Sequence, residues 1–483
     1  ARRPSAGARS RVLCVSCGAS APGSTIATTF GAASAVALLL SASETAAPSV
    51  RGVEAVLALA QQLRSVSRVA RFLVLTCGVQ ASSWSSMHAV ADAAHGGAWG
   101  LMRVVRLEHA EMHAQSVDVA RGAHGSAALL ALAAAADNDA EAEAAWGSAG
   151  RRQVARLRQC SVASSRSLVV SGVYSISGGL GGLGLRAASL LVTRGASRVL
   201  LSSRSGRVAR DGQGLSAQLN KLGEAVELVA CDSADLLDMA ALRAAHPQVS
   251  GYLHAAGAGD RGLLTELEAS RVRWMLGPKA AGAWYAHYVF ALTPLDVHVL
   301  FSSVGSGLGN VGQANYAAGN SCLDAYALAQ RAHGVTACSL QWPLIGGAGM
   351  GAATYAAVSD RQVVGMAGIS LEQYAACVEA QLFVQHSIGQ GVQLIHRANV
   401  AELLYRTWLT LLSLVSASWA RKWMLMRGAR SWHRMRRRNG DAPRCGKQRR
   451  LRLRAHLQRH LHRSQRPRVS STCKQQCCGS CAS

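Results

Sequence analysis

The sequence predicts an α/β fold built as two Rossmann-like, doubly wound parallel-sheet subdomains, the first degenerate and structural, the second carrying a glycine-rich loop. Three observations predict it. Short apolar runs alternate with helical patterns in both halves of the chain, as right-handed βαβ units require. A glycine cluster from Gly178 to Gly184 stands between a strand pattern and a helix pattern in the second half. Hydrophobic residues are 49% of 483 and charged residues 16%, which supplies a large core and excludes wholesale disorder.

The elements follow in order. Residues 1–45 read as a linker or transit-like segment: they are rich in Ala, Ser and Gly with scattered Arg, and the first acid is Glu44. Within them GAASAVALLL, 31–40, is too short to span a bilayer. Residues 46–165 read as the structural subdomain. VEAVLALAQQL gives a helix over 52–65, FLVLTCGV a buried strand over 72–79, GAWGLMRVVRLE a helix over 97–108, and QSVDV a strand at 115–119. An Ala-rich helix is expected over 126–146. No glycine-rich loop follows FLVLT; the chain continues CGVQASSWS.

Residues 166–400 repeat the pattern with more signal. Strands are expected at 168–177, 199–203, 225–231, 251–256, 297–303 and 336–342. Helices are expected at 183–194, 214–223, 235–245, 266–291 and 314–333. Residues 401–483 read as a basic, disordered tail.

Charge separates the tail from the body. Residues 421–483 hold 19 Lys+Arg and one acid, Asp441, whereas the 420 residues before them carry a net charge of only +7. The tail is either a solvated run or a contact for a polyanion; the body gives no nucleic-acid signal. TWLTLLSLVSASWA, 407–420, is short and carries Ser and Thr, so no membrane span is expected. The expected compartment is cytoplasmic or organellar, a plastid included. Thirteen cysteines, eight of them before residue 421, are mostly isolated and read as small core hydrophobes in a reducing compartment. Cys14/Cys17 and Cys478/Cys481 have zinc-pair spacing, but no His/Cys set completes either, so no metal is assigned.

Gly179, Gly181 and Gly184 fit G-x-G-x-x-G within Gly178-Gly179-Leu180-Gly181-Gly182-Leu183-Gly184. Such glycines allow a tight turn, backbone N–H approach to a pyrophosphate, and close packing of helix on sheet. The next strand decides which dinucleotide. An NAD site places an acid about 20 residues on, for the ribose 2′-OH. Here VLLSS ends in Ser203 and runs into Arg204, with no acid before Asp211. An arginine attracts a 2′-phosphate, so the cofactor reads as NADPH. Asp232 and Ser233 follow the third strand, toward the adenine. Ala255, Ala256 and Gly257 end the fourth, where small residues let the cofactor lie close.

Four polar residues gather at the carboxyl ends of the later strands. Ser303 ends VLFSS, Tyr316 opens the following helix, and Asn320 lies four residues on, hence on the same helix face. Lys279, in GPKAAGAW, lies on the preceding helix. Carbonyl reduction needs a hydride donor, a proton donor and a group that polarises the oxygen. A nearby Lys ammonium favours the phenolate of a tyrosine whose free pKa is about 10. A serine hydroxyl can hydrogen-bond the same carbonyl.

At these residues the sequence resembles the ketoreductase domain of modular type I polyketide synthases, within the short-chain dehydrogenase/reductase superfamily. YSISGGLGGLGL, RVLLSSRSG, LVACD, YLHAAG, GPKAAGAW, VLFSSVGSGLGNVGQANYAAGNSCLDA and SLQWPLIGGAGM carry the resemblance, in the family's order. Lys279 ahead of Ser303, then Tyr316 and Asn320, is the polyketide-type arrangement. Ordinary short-chain dehydrogenases have Lys four residues after the Tyr. FLVLTCGVQ and WGLMRVVRLEHAE resemble the family's structural subdomain, so the likeness covers roughly residues 50–400.

The resemblance implies NADPH-dependent reduction of a β-ketoacyl thioester to a β-hydroxyacyl thioester in polyketide or fatty-acid-like biosynthesis. The implied partners are an acyl carrier protein bearing the substrate and the other polyketide synthase domains. Tyr316 would donate the proton, Ser303 orient the carbonyl, Lys279 and Asn320 support them, and 344–370 form a mobile lid. The chain departs from the pattern at Ser177, where Thr is usual. Gly259-Asp260-Arg261 replace Leu-Asp-Asp after HAAG, Leu308 stands where one stereochemical class has Trp, and Pro343-Leu344 follow Trp342. These residues assign neither stereochemical class. Two alternatives stand beside the reading: a stand-alone reductase of small carbonyls, and a catalytically silent structural domain.

Overall fold

The computed structural model describes residues 12–17, 35–42, 47–64, 71–80, 92–121, 141–147, 151–156, 170–208, 213–292, 295–350, 366–382, 392–394 and 397–398. The basic tail, its cysteines, the 407–420 run and most of the expected lid lie outside them.

The first sheet runs in chain order: β1 (Val12–Cys17), β2 (Ala35–Leu40), β3 (Arg71–Cys77), β4 (Gln115–Val119), β5 (Glu143–Trp146) and β6 (Arg152–Gln153). Its pairs are parallel except β5 with β6. Helices α1 (Val50–Arg64) and α2 (Gly96–Glu108) cover it. In α1 the buried Val53, Val56, Leu57, Ala60 and Leu63 fall at helical spacing, which gives one apolar stripe.

Two expectations are corrected here. The stretch read as a linker or transit-like segment supplies β1 and β2, and β2 is largely buried: Val36 and Ala37 have no exposure. Its mixture of Ala, Val and Leu has no turn punctuation to mark it as a strand; parallel pairing on both sides, with β1 and β3, makes it one. The Ala-rich helix expected to reach residue 146 is a strand over Glu143–Trp146, since pairing with β4 outweighs the helical preference of its alanines. Residues 126–140 lie outside the described residues.

The second sheet has seven strands. They are β7 (Val173–Ser177), β8 (Arg198–Ser203), β9 (Val226–Ala230), β10 (Val249–His254), β11 (Val297–Ser303), β12 (Cys338–Trp342) and β14 (Val392–Leu394), with the short pair β13 (Met366–Ala367) and β15 (Arg397–Ala398) apart. The order is 9-8-7-10-11-12-14, all parallel. Successive strands are therefore laid down in opposite directions on either side of the β7–β10 pair, and a crevice opens there beyond the strand ends. Strands β11 and β12 are buried almost throughout, as a sheet covered on both faces demands.

The helices of this half are α3 (Gly182–Thr193), α4 (Leu215–Leu222), α5 (Leu236–Ala245), α6 (Ala269–Leu276), α7 (Gly282–Phe290), α8 (Val304–Leu308), α9 (Ala314–Ala332) and α10 (Leu371–Leu382). Asp235 caps α5 by accepting the N–H groups of Leu237 and Asp238. The single helix expected over 266–291 is three pieces, with a wider turn at Gly277–Ala281 between α6 and α7. Pro278 has no N–H for a regular helix ladder, and the widened turn accommodates it.

The first sheet and its helices share a core with helices of the second half. Val53, Leu101 and Val105 of the first half pack in the same cluster as Val272, Leu276, Ala317, Ala318 and Cys322 of the second. Close approach of α2 to α9 makes this possible: a Cβ on Gly100 would lie 2.3 Å from the Ala317 carbonyl oxygen. The architecture is the predicted one, two Rossmann-like parallel-sheet subdomains.

Candidate active site

The site lies at the carboxyl edge of the second sheet. After β7 the chain turns through Gly178, whose φ of +67° suits glycine, and enters α3. A Cβ on Gly178 would meet the Ala256 backbone at 2.8 Å, and one on Gly184 would meet the Gly178 carbonyl oxygen at 2.5 Å. Turn, helix and the end of β10 are thus packed to backbone contact. Leu180 is buried beneath the turn, Gly181 is the exposed N-cap, and no side chain caps α3. The free N–H groups and the helix dipole there suit an anion.

In the first sheet the N–H groups of Val79 and Gln80, just beyond β3, donate to the Asp118 carboxylate at 3.1 and 2.9 Å. Burial pushes that carboxyl up to about 6.

The remaining cofactor candidates line the same edge. Ser203 ends β8, and Arg204 follows it, exposed. Asp232 follows β9; its Oδ1 accepts the Ala234 N–H at 2.9 Å. Ser233 is buried against Gly282, so its hydroxyl faces α7 rather than the crevice. Ala255 and Ala256 are half-buried beyond β10, and Gly257 is exposed. Beyond β12, the Gln213 side chain pairs with the Gly349 backbone through bonds of 2.9 and 3.0 Å, and the Tyr374 hydroxyl donates to the Leu183 carbonyl at 2.8 Å. These bonds hold the 345–350 segment over Gly182 and Leu183, while Met350 reaches Gly259 on the far wall. Turn, uncapped helix, small wall and adjacent arginine together fit an extended dinucleotide with a phosphate at its far end.

The four catalytic candidates converge beside this crevice. Lys279 sits on the wide turn, 3% exposed, and donates Nζ to the Phe301 carbonyl at 2.7 Å. Its stem lies under Gly257, where a Cβ would meet Lys279 Cε at 2.4 Å. Burial pulls the ammonium down to about 8, against the Asp324 carboxylate. Ser303 ends β11 two residues beyond Phe301 and accepts the Gly305 N–H at 3.2 Å. Asn320 is fully buried on α9 and donates to the Tyr316 carbonyl at 2.9 Å. Tyr316 is half-buried on the first turn of α9. Burial raises its hydroxyl, and the Ser303 and Asn320 side chains oppose that rise. Lys279, whose ammonium donates to the Phe301 carbonyl, is not among the groups that shift Tyr316.

Asp324 escaped the sequence reading. It is buried one turn beyond Asn320 and accepts from Ser306 (2.6 Å), Ser339 (2.7 Å) and Gln341 (2.6 Å), which ties α8 and β12 to α9. Its i+4 and i+8 spacing from Asn320 and Tyr316 was the available signal. Asp260 is a second omission. Its carboxylate takes Arg271 through bonds of 3.0 and 2.6 Å and Asn315 Nδ2 at 2.7 Å, and Asn315 Oδ1 accepts the Tyr316 N–H at 2.8 Å.

Comparison with known proteins agrees with this geometry. The KR domain model matches residues 172–347. The pikromycin polyketide synthase component PikAIII of Streptomyces venezuelae is 36% identical over 57% of this chain and 18% of its own length. The 6-methylsalicylic acid synthase of Aspergillus niger is 33% identical over 59% of this chain and 16% of its own. The chain thus spans under a fifth of either relative. A solved structure of A-type ketoreductases from a modular polyketide synthase superposes with a TM-score of 0.66 at 30% identity, covering 76% of this chain and 78% of that one. A solved A1-type ketoreductase gives 0.65 at 30%, with the same coverage. With the glycine turn, the uncapped helix and the polar cluster on one sheet edge, the chain belongs to the ketoreductase domains of modular polyketide synthases, oxidoreductases of the short-chain dehydrogenase/reductase superfamily.

Proposed function

We propose that this chain reduces a β-ketoacyl thioester to a β-hydroxyacyl thioester with NADPH, the substrate being carried by an acyl carrier protein of a multidomain synthase. The observation that carries the reading is the meeting of Tyr316, Ser303, Asn320 and Lys279 beside the glycine turn and its uncapped helix. Bound NADPH supplies the hydride. Ser303 and Tyr316 hydrogen-bond the ketone oxygen and hold the carbonyl carbon in place, and the Tyr316 hydroxyl gives its proton as the alkoxide forms. Asn320 fixes the first turns of α9 through the Tyr316 carbonyl. Lys279 holds a positive charge between Gly257 and β11, where it stabilises negative charge developing in the crevice.

Arg204 supports NADPH over NADH, because a guanidinium offers charge-assisted bonds to a 2′-phosphate. Arg204→Ala is expected to weaken NADPH binding about 10-fold or more and leave NADH binding within about twofold, read by fluorescence titration. The test of the whole reading is NADPH oxidation by the full chain with a short β-ketoacyl thioester, free and carrier-bound. Turnover that is faster with the carrier supports the proposal. Equal turnover of both favours a stand-alone reductase of small carbonyls, and NADPH binding without turnover of either favours a silent structural domain.

A further inference from the structure

We infer that Glu108, the last residue of α2 in the structural subdomain, is a positioning residue that sets the place of Tyr316 for proton transfer. The inference rests on the assignment of Tyr316 as proton donor. Glu108 reaches across to the two loops that bracket the crevice. Its Oε2 accepts the N–H of Leu264, and its Oε1 accepts the N–H of Gly312, both at 2.7 Å. Leu264 lies in the loop after β10 and Gly312 two residues ahead of α9.

The two loops also meet directly, through Gly262 N–H to the Gly312 carbonyl at 2.9 Å and a bridge between Gly262 and Gln313. From the first loop Asp260 grips Asn315, and Asn315 takes the Tyr316 N–H. A path of hydrogen bonds joined by short stretches of main chain therefore runs from Glu108 to the backbone of Tyr316. Charge matters along it: a carboxylate accepting backbone N–H groups makes shorter and stronger bonds than a neutral amide. Near the start of a 19-residue helix it also meets the positive end of the dipole.

Adhesion of the two halves does not depend on Glu108. The shared apolar core supplies it, and an exposed ion pair, Arg273 with Glu54 at 2.5 Å, crosses the same boundary. The role left to Glu108 is geometry at the crevice.

Glu108→Gln keeps the size and one acceptor but turns an N–H₂ toward an N–H. With the full chain, NADPH and a β-ketoacyl thioester, kcat is expected to fall about 10- to 100-fold, the scale of a misplacement near 1 Å. The Kd for NADPH should stay within about twofold. The solvent deuterium isotope effect on kcat should rise, because proton transfer becomes slower. Arg273→Ala, which cuts an exposed ion pair across the same boundary, should leave kcat within about twofold. A second readout needs no turnover: hydrogen exchange at the 312–316 amides of the free chain should quicken in Glu108→Gln and not in Arg273→Ala. The inference is overturned by unchanged kcat and exchange in Glu108→Gln, or by equal losses in both variants. An inactive parent chain would instead count against Tyr316 as proton donor, and the exchange result would still decide the positioning.

Discussion

Lys279 bears the largest visible cost in the site. Its ammonium is buried and donates to the Phe301 carbonyl, and burial pulls it down to about 8. The unfolded chain, with a lysine near 10.4, binds that proton more tightly. The penalty on folding is therefore full below pH 8 and fades as pH rises toward the unfolded value. The shift corresponds to roughly 3 kcal/mol, so Lys279→Met is expected to stabilise the chain at pH 7 by about 1 to 3 kcal/mol in urea unfolding. The same variant should lose reductase activity. In the parent chain the rate of reduction should fall as pH rises through about 8, and Lys279→Met should lack that inflection in a pH–rate profile. The four polar residues were legible because each stands at a strand end or on one helix face. The direction of the Tyr316 shift was not, because sequence names a lysine but not the carbonyl its ammonium chooses. Asp324 and Asp260 were hidden for the same reason: each earns its role from partners far along the chain.

At the scale of elements, the glycine turn and α3 form one backbone-packed unit. Gly184→Ala places a methyl 2.5 Å from the Gly178 carbonyl oxygen, with backbone on both sides and no flexible side chain to yield. The helix must move off the strand, so NADPH affinity is expected to fall 10-fold or more in a fluorescence titration, with a lower melting temperature. The helix after this turn was legible almost to the residue, expected over 183–194 and observed over Gly182–Thr193, as was β11, predicted and observed over Val297–Ser303, whereas the strand before the turn, expected over 168–177, is Val173–Ser177. Periodicity served there because both faces of the strand are buried. It misled at Glu143–Trp146, where Ala-rich sequence suits either state, and at Pro278, which divides a longer apolar pattern into α6 and α7.

For the whole molecule, the structural subdomain shares its core with the catalytic helix. Gly100, Ala317 and Cys322 are apolar or small because α2 and α9 approach to contact distance. Gly100→Leu should therefore damage both halves at once, lowering thermal stability and reductase rate together although it lies outside the crevice; differential scanning calorimetry with a parallel rate assay reads this. The same closeness lets Gln61 donate to the carbonyls of Leu264 and Leu267 at 2.8 and 2.9 Å, and Arg103 to that of Ser306 at 2.6 Å. Side chains of the first half thus hold the main chain around the site. The sequence showed two sheets and one competent glycine loop. It did not show that the helices of the first half grip the loops around the site, since that leaves no local pattern.

The proposed NADPH-dependent reduction turns on proton donation by Tyr316. The most direct measurement is single-turnover NADPH oxidation by the full chain and by Tyr316→Phe, with a β-ketoacyl thioester and with NADPH affinity measured alongside. Loss of the rate by about 100-fold or more in Tyr316→Phe, at unchanged NADPH affinity, is the predicted result. A rate within a few-fold of the parent, with NADPH equally bound, would contradict the account.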